Sequence, residues 1–356
     1  MKKNKRSRNL IINITVLTVT CLLAFSAIEG YFRIRAFHYD KAVFERWENE
    51  DIKPKGSAVT LGHLVSVVDN NRMIYENKKN IYYYYIGAQV TTNSEGFRDK
   101  NYSIKKTADT IRILGIGDSV MFGQAVGDGK EYMTLLENKL NKKYPDKNWE
   151  VINTAVVGYN MVMELETLKL KGLKYKPDIV IVGFVSNDLV LPSLISSKEN
   201  YLDLGRSFAL DFIKERMGRL DRQTIALRYP PQNPEMVLPE YRVHLGWDAF
   251  YSSMDELKAL SMEHGFKVFG MFFTHEHGIV SQKAMEEFIK YGFGVVNMAP
   301  SLQAYLQKNN FESFEKSPLI ATPTDFHPSF FSHNLGAETI LKKLEDNGLI
   351  QKLSHN

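Results

Sequence analysis

Residues 111–123 read IRILGIGDSVMFG, an apolar run of Ile111, Ile113, Leu114 and Ile116 that stops at Gly117-Asp118-Ser119. A short apolar run bounded by glycine has the pattern of a strand buried on both faces in a parallel sheet. Open sheets of that kind place their ligands in the crevice at the carboxyl ends of the strands. Ser119 therefore stands where a reacting group would. Taken alone, Gly-Asp-Ser also reads as a polar turn, and serine is a favoured helix cap. The rest of the chain has to decide between these readings.

Outward from this strand the pattern alternates. An amphipathic helix over 130–143 carries Tyr132, Leu135, Leu136 and Leu140 on one face. A strand follows at 149–153, a second helix over 162–174, and a continuous apolar strand at 178–184 (DIVIVGF). Strand–helix–strand at this spacing predicts an α/β domain whose parallel sheet is joined by right-handed crossovers. The alternation breaks at Leu189. Residues up to about Gly246 hold Pro192, Pro230-Pro231, Pro234 and Pro239, with a basic helical piece near 208–222. That is too long for a connecting loop, so it reads as a lid or substrate-shaping insertion. A helix over 247–264, a strand at 266–273, a helix near 281–291, a short strand at 294–298 and a final helix over 334–347 complete the pattern. Upstream, 65–90 is rich in β-branched and aromatic residues and reads as short strands. Its tyrosines Tyr82, Tyr83, Tyr84 and Tyr85 fit a half-buried strand, with a carbohydrate-stacking surface as the other option. Residues 92–99 (TNSEGFRD) read as a turn leading by a polar linker to Ile111.

The chain has 356 residues, 44% hydrophobic and 24% charged, which is ordinary globular composition. Its net charge of +4 is weighted by Lys2, Lys3, Lys5, Arg6 and Arg8 at the N-terminus. Elsewhere no stretch interleaves basic and aromatic residues, so no nucleic-acid partner is expected. Residues 10–28 carry no charge and, at about 19 residues, are long enough to cross a bilayer as a helix. The basic flank predicts that the N-terminus stays in the cytoplasm and the rest is exported. The expected organisation is a cytoplasmic tail at 1–9, a transmembrane anchor at 10–28, a stalk and β-rich lead-in at 29–110, and a catalytic domain at 111–350 with an insertion at about 190–246. The alternative is a signal peptide cleaved near Ala24-Phe25-Ser26. Cys21 is the only cysteine and lies in this segment. The exported part therefore has no disulfide, thiol nucleophile or cysteine metal site.

Nucleophilic acyl transfer needs a hydroxyl, a base for its proton, a group that orients the base, and donors aimed at the oxyanion. The ends of successive strands offer these parts. Ser119 follows the first strand, Gly158 (in NTAVVGYN) the second, and Ser186-Asn187-Asp188 the third, while Asp325-Phe326-His327-Pro328 precedes the last helix. Four blocks in this order, GDSVMFGQAV, INTAVVGYN, DIVIVGFVSND and DFHPSFFSHNLGA, resemble the SGNH or GDSL-type hydrolase superfamily over about residues 92–344, the insertion excepted. The resemblance implies a flavodoxin-like three-layer α/β/α sandwich with a parallel sheet. It also implies Ser119 as nucleophile, its own amide with Gly158 and Asn187 as the oxyanion hole, and His327 as base. Two positions depart from the family pattern. Thr324 stands where many members carry an aspartate three residues before the histidine, which makes Asp325, two before His327, the orienting carboxylate. Val185 stands where a glycine often precedes the oxyanion asparagine by two. Asp118 and Asp188 are expected to hold their loops through backbone hydrogen bonds.

The expected function is a membrane-anchored extracytoplasmic serine esterase acting on acetyl or other esters of a glycan or lipid, with no cofactor and no metal. A polysaccharide O-acetyltransferase differs only in the nucleophile that resolves the acyl-enzyme. A catalytically inactive glycan-binding component is the alternative of another class, and a phosphodiesterase or nuclease fits less well. His275-Glu276-His277 resembles a metal pair, but its spacing is not the i, i+4 zinc pattern and no third ligand is readable. His333 reads as a packing residue ahead of the final helix.

Overall fold

Ile111 to Gly117 lie on strand β1 (Thr110–Gly117), every residue of which is buried. The computed structural model describes residues 2–48, 61–192, 207–210, 213, 239–274, 278–322 and 325–355. In it β1 belongs to a five-stranded parallel sheet with β2 (Asn148–Asn153), β3 (Ile179–Phe184), β4 (Lys267–Phe272) and β5 (Gly294–Asn297). The strand order is β2-β1-β3-β4-β5, the flavodoxin-like doubly wound order, whose direction reverses between β1 and β3.

Side chains alternate across each strand, so a strand buried on both faces feeds two cores. Ile113 of β1 with Ile179 and Ile181 of β3 joins one core, together with Met133, Leu136 and Leu140 of helix α1 (Tyr132–Lys143). Leu114, Ile116, Val180 and Val182 enter the other, with Leu165 of α2 (Met161–Thr167), Phe250 and Met254 of α3 (Gly246–His264) and Phe288 of α4 (Ile279–Lys290). Helix α5 (Ala299–Lys308) and helix α6 (Phe330–Asp346) add Leu302, Ala337, Ile340 and Leu344 to the first core. This is the expected three-layer α/β/α sandwich. Each fully buried aliphatic side chain contributes about 1.5–3 kcal/mol relative to exposure, and it is this double burial that holds the sheet ends in place.

Several elements differ from the sequence expectation. The single helix expected over 162–174 ends at Thr167 and continues as a π turn (Leu168–Gly172) and a 3-10 turn (Leu173–Tyr175). The wider turn keeps Leu168 in the core while Lys169 pairs with Glu166 and Glu256, and Lys171 with Glu76. Helix α5 was not anticipated, although Pro300 in its first turn is a start signal. The last helix begins at Phe330, capped by Ser329, rather than at 334. The lead-in hydrogen-bonds to the loop after β2. The Tyr75 hydroxyl donates to Val157 O (3.0 Å), and Asn77 Nδ2 donates to Ala155 O (3.2 Å). In the hairpin of Tyr82–Tyr85 with Ala88–Thr91, Tyr85 is buried and Tyr83 half-buried, while Tyr82 and Tyr84 are exposed.

The chain divides into two units, Met1–Lys53 with Lys198–Arg222, and Pro54–Ser197 with Gln223–Asn356. The sheet lies in the second. In the first, Lys2–Glu48 is one helix, and its segment Ile11–Arg35 (mean hydropathy 2.2, none of it buried) is long and apolar enough to cross a membrane. Within the same unit the Glu29 carboxylate pairs with Arg33 (2.8 Å) and accepts from the Ser207 hydroxyl and the Phe208 and Ala209 amides. Most of the expected insertion, including most of its basic helical piece, lies outside the described residues.

Candidate active site

The crevice at the strand reversal is lined by the loops after β1 and β3. After β1, Asp118 caps the short helix Ser119–Phe122 by accepting from Val120 N at 2.9 Å. Asp118 is an N-cap of the kind that satisfies an orphan helix amide. This helix can sit tight against the sheet because Gly117 and Gly183 have no side chain. A Cβ on Gly117 would lie 2.7 Å from Met121 Cβ. Ser119 is thereby held at the sheet end, mostly buried.

Asp325 and His327 arrive from the far end of the chain on a strand (Asp325–Pro328) paired antiparallel with Ile320–Thr322. Residues two apart on a strand share a face. This explains how an aspartate at that spacing reaches the ring, and how the site dispenses with the carboxylate at position 324; Thr324 itself lies outside the described residues. Asp325 Oδ1 accepts from both the His327 backbone amide (3.0 Å) and His327 Nδ1 (2.5 Å). Nδ1–H pointing at a carboxylate leaves Nε2 as the acceptor, and Nε2 lies 2.9 Å from Ser119 Oγ. Burial alone would raise the Asp325 carboxyl, but bonds from the His327 amide and ring and from Gln124 outweigh it and hold it below the usual range.

Ser119 Oγ also lies 3.1 Å from Asp118 Oδ2. A hydroxyl has one proton, so Asp118 and His327 compete for it. The same Asp118 oxygen accepts from Asn187 Nδ2 at 3.0 Å. One N–H of the Asn187 amide is thus committed to Asp118, and among the described residues the other has no partner. Burial pushes the Asp118 carboxyl up, against the bonds from Asn187, Val120 and Ser119 and the nearby His327. Asn187 sits in a 3-10 turn (Ser186–Leu189) after β3, held by Asp188 Oδ2, which accepts from Val185 N at 2.9 Å. Val185 has ordinary extended geometry (φ −133°, ψ 165°), so no glycine is needed there. Gly158 lies in the turn after β2, where Tyr159 N donates to Val156 O (3.3 Å) and φ is 75°. A side chain at that φ costs about 1–2 kcal/mol. Hydrogen bonds thus join Ser119, Asp118, Asn187, His327 and Asp325, while Gly158 occupies the adjacent loop.

Three contributors are not apparent in the sequence. Gln124, just past the helix that Ser119 opens, places its amide nitrogen 3.2 Å from His327 Nδ1 and hydrogen-bonds Asp325. Asn153, at the end of β2, donates to Met121 O (3.1 Å) and fixes the helix from beneath. Arg98, inside the stretch read as a simple turn, is almost wholly buried. Its guanidinium donates to Phe122 O, Gly123 O, Val126 O and Gln89 O, pairs with Asp128 (3.1 Å) and stacks on Phe122. It is the buttress of the loop that carries Gln124. Lysine has three donors and no planar fork, so Arg98→Lys should strand buried carbonyls. The expected loss is about 3 kcal/mol in urea melts, with lower turnover; a loss below about 0.5 kcal/mol, the range of an ordinary surface change, would contradict the buttress.

His333 is fully buried with its ring stacked on Tyr132, and its Nδ1 accepts from Tyr132 N at 3.2 Å. Burial, with Arg98 and His327 nearby, depresses it to about 3, so it stays neutral and structural. Among the described residues no group of three or more His, Cys, Asp or Glu is placed to hold a metal; His275-Glu276-His277 lies outside them.

No protein-family model matches the chain, and no curated protein does. Among solved structures it is similar to an acetyl xylan esterase (15% identity, TM-score 0.40, covering 65% of this chain and 98% of that one). It is also similar to a lipase/acylhydrolase from Enterococcus faecalis (15% identity, TM-score 0.40, 67% and 96%). A third is a lipolytic protein of the G-D-S-L family from Desulfitobacterium hafniense (11% identity, TM-score 0.38, 65% and 99%). One of these structural neighbours is thus named for the G-D-S-L family and the other two as an esterase and a lipase/acylhydrolase, all at low identity.

Proposed function

We propose that this chain is a serine esterase of the SGNH type, held at a membrane by its N-terminal helix with the catalytic unit outside the cytoplasm, and acting on acetyl or other esters of a glycan or lipid. The observation that carries the reading is the hydrogen-bonded series Ser119 Oγ–His327 Nε2–His327 Nδ1–Asp325 Oδ1, at 2.9 and 2.5 Å. His327 Nε2 takes the Ser119 proton as Oγ attacks the ester carbonyl. The second N–H of Asn187 and the amides of Ser119 and Gly158 receive the oxyanion. His327 then protonates the departing alcohol, and water, deprotonated by the same nitrogen, releases the acid. Asp325 stabilises the imidazolium and fixes its tautomer. Exposed Phe330 and Phe331, three and four residues after His327, support a substrate with an apolar or sugar-ring face. The basic flank before the apolar helix supports the proposed orientation.

Pre-steady-state hydrolysis of 4-nitrophenyl acetate tests the reading. The expected course is a burst of about one nitrophenol per enzyme followed by slower turnover, because acylation precedes deacylation. An added oligosaccharide that speeds the slow phase and carries away the acetyl group marks a transferase. Absence of both burst and turnover, here and with an acetylated oligosaccharide, would exclude the catalytic reading.

A further inference from the structure

Beneath the crevice lies a group of acids that the proposed reaction does not use. Glu164 of α2 is fully buried, and among the described residues no N–H or O–H donor reaches either of its carboxyl oxygens or Asp188 Oδ1. The two carboxyls are close enough for each to act on the other's ionisation. A carboxylate has no donor of its own, so these unpartnered buried oxygens can satisfy one another only if one carboxyl keeps a proton. The other Asp188 oxygen is committed to Val185 N, at the start of the turn that carries Asn187. Glu164 thus reaches the oxyanion loop through one intermediary, from an element that touches no reacting atom.

We propose that Glu164 and Asp188 share one proton, and that this acid pair sets the position of Asn187, which makes Glu164 a positioning residue for the oxyanion hole. The inference rests on Asn187 being an oxyanion donor. The groups facing the pair are consistent with a retained proton. Asp118 contributes negative charge from the loop after β1, and the Tyr132 and Tyr159 phenols lie within its field. The side chains that α3 buries against this region are Ala249, Phe250, Ser253, Met254 and Leu257, none of them charged. Burial and the Asp118 charge both push the Glu164 and Asp188 carboxyls up. A raised carboxyl contributes stability that is present in acid and is lost as pH rises through its folded value. Above that value the pair releases its proton to solvent, two buried anions face each other, and the Asn187 turn is displaced.

Two variants and two readouts test this. Glu164→Gln keeps a neutral donor toward Asp188; Glu164→Leu removes it. For 4-nitrophenyl acetate, Glu164→Gln should keep kcat within about threefold of the parent at lower pH and lose the decline of kcat expected of the parent as pH rises. Glu164→Leu should lower kcat about 10- to 100-fold with KM nearly unchanged, somewhat less than the loss of an oxyanion donor outright. Melting against pH gives the readout that is independent of turnover: the parent chain should lose stability as pH rises, and Glu164→Gln should flatten that fall. A parent with no such fall, a fall unchanged by Glu164→Gln, or parent-level kcat in Glu164→Leu, would overturn the proposal. A parent chain that hydrolyses no ester overturns the esterase reading and the positioning role together, while the melts still decide whether the acid pair exists.

Discussion

Replacing Ser119 by alanine should lower kcat for a small activated acetyl ester by about 10⁴- to 10⁶-fold, the range seen when a triad nucleophile is removed. The burst of nitrophenol should vanish with it. Ser119 makes two side-chain hydrogen bonds, to Asp118 and His327, and its neighbours retain their own partners. The variant should therefore melt within a few degrees of the parent, as expected for a change of about 1 kcal/mol. Its residual rate should come from the oxyanion donors and from substrate binding. A variant that loses less than about tenfold, or about 1.4 kcal/mol of barrier, would remove Ser119 from the mechanism.

The second large effect concerns Asp325. Asp325→Asn should reduce kcat about 10⁴-fold, as expected where an amide replaces the triad carboxylate. The carboxylate oxygen that accepts from Nδ1 also accepts from the His327 amide. An asparagine that turns its NH₂ toward the ring would favour the proton on Nε2, and such a ring cannot take the proton of Ser119. The pH dependence separates this from a loss of fold. Asp325 is held below the ordinary carboxylate range, burial being outweighed by the bonds from His327 and Gln124. Its contribution to stability is present above the ordinary aspartate pKa of about 3.9 and is lost only as pH falls through the lower folded value. Asp325→Asn should therefore melt cooperatively near neutrality and lack this part of the parent's fall in stability toward acid. Near-parent kcat in Asp325→Asn would mean that another group orients the ring.

Much of this arrangement was legible because it depends on local pattern. A buried parallel strand carries its apolar residues in an unbroken run, and the residue after it must leave the sheet. Ser119, Gly158 and Asn187 could therefore be placed at strand ends without any coordinates. Asp325 and His327 were legible as a pair, although only the strand at Asp325–Pro328 explains why a spacing of two suffices. What stayed hidden lies in contacts between distant segments. Arg98 is 30 residues from Asp128 and 24 from Phe122, yet its role consists wholly of those contacts. Gln124 is separated from His327 by 203 residues. Glu164 stands at a helical position whose neighbours are apolar, and a buried acid there has no periodicity to announce it. The break of the 162–174 helix into a π turn likewise follows from pairing partners at Glu76 and Glu256 that the local sequence does not contain.

The direct test of the account is the site of acylation. The full chain in detergent is mixed with 4-nitrophenyl acetate, quenched in acid during the burst, digested and mapped by mass spectrometry. The account predicts one acetyl group per chain, on the peptide holding residues 117–123, attached to Ser119. Continued turnover with no acetyl on Ser119, or with the acetyl group on another residue, would contradict it.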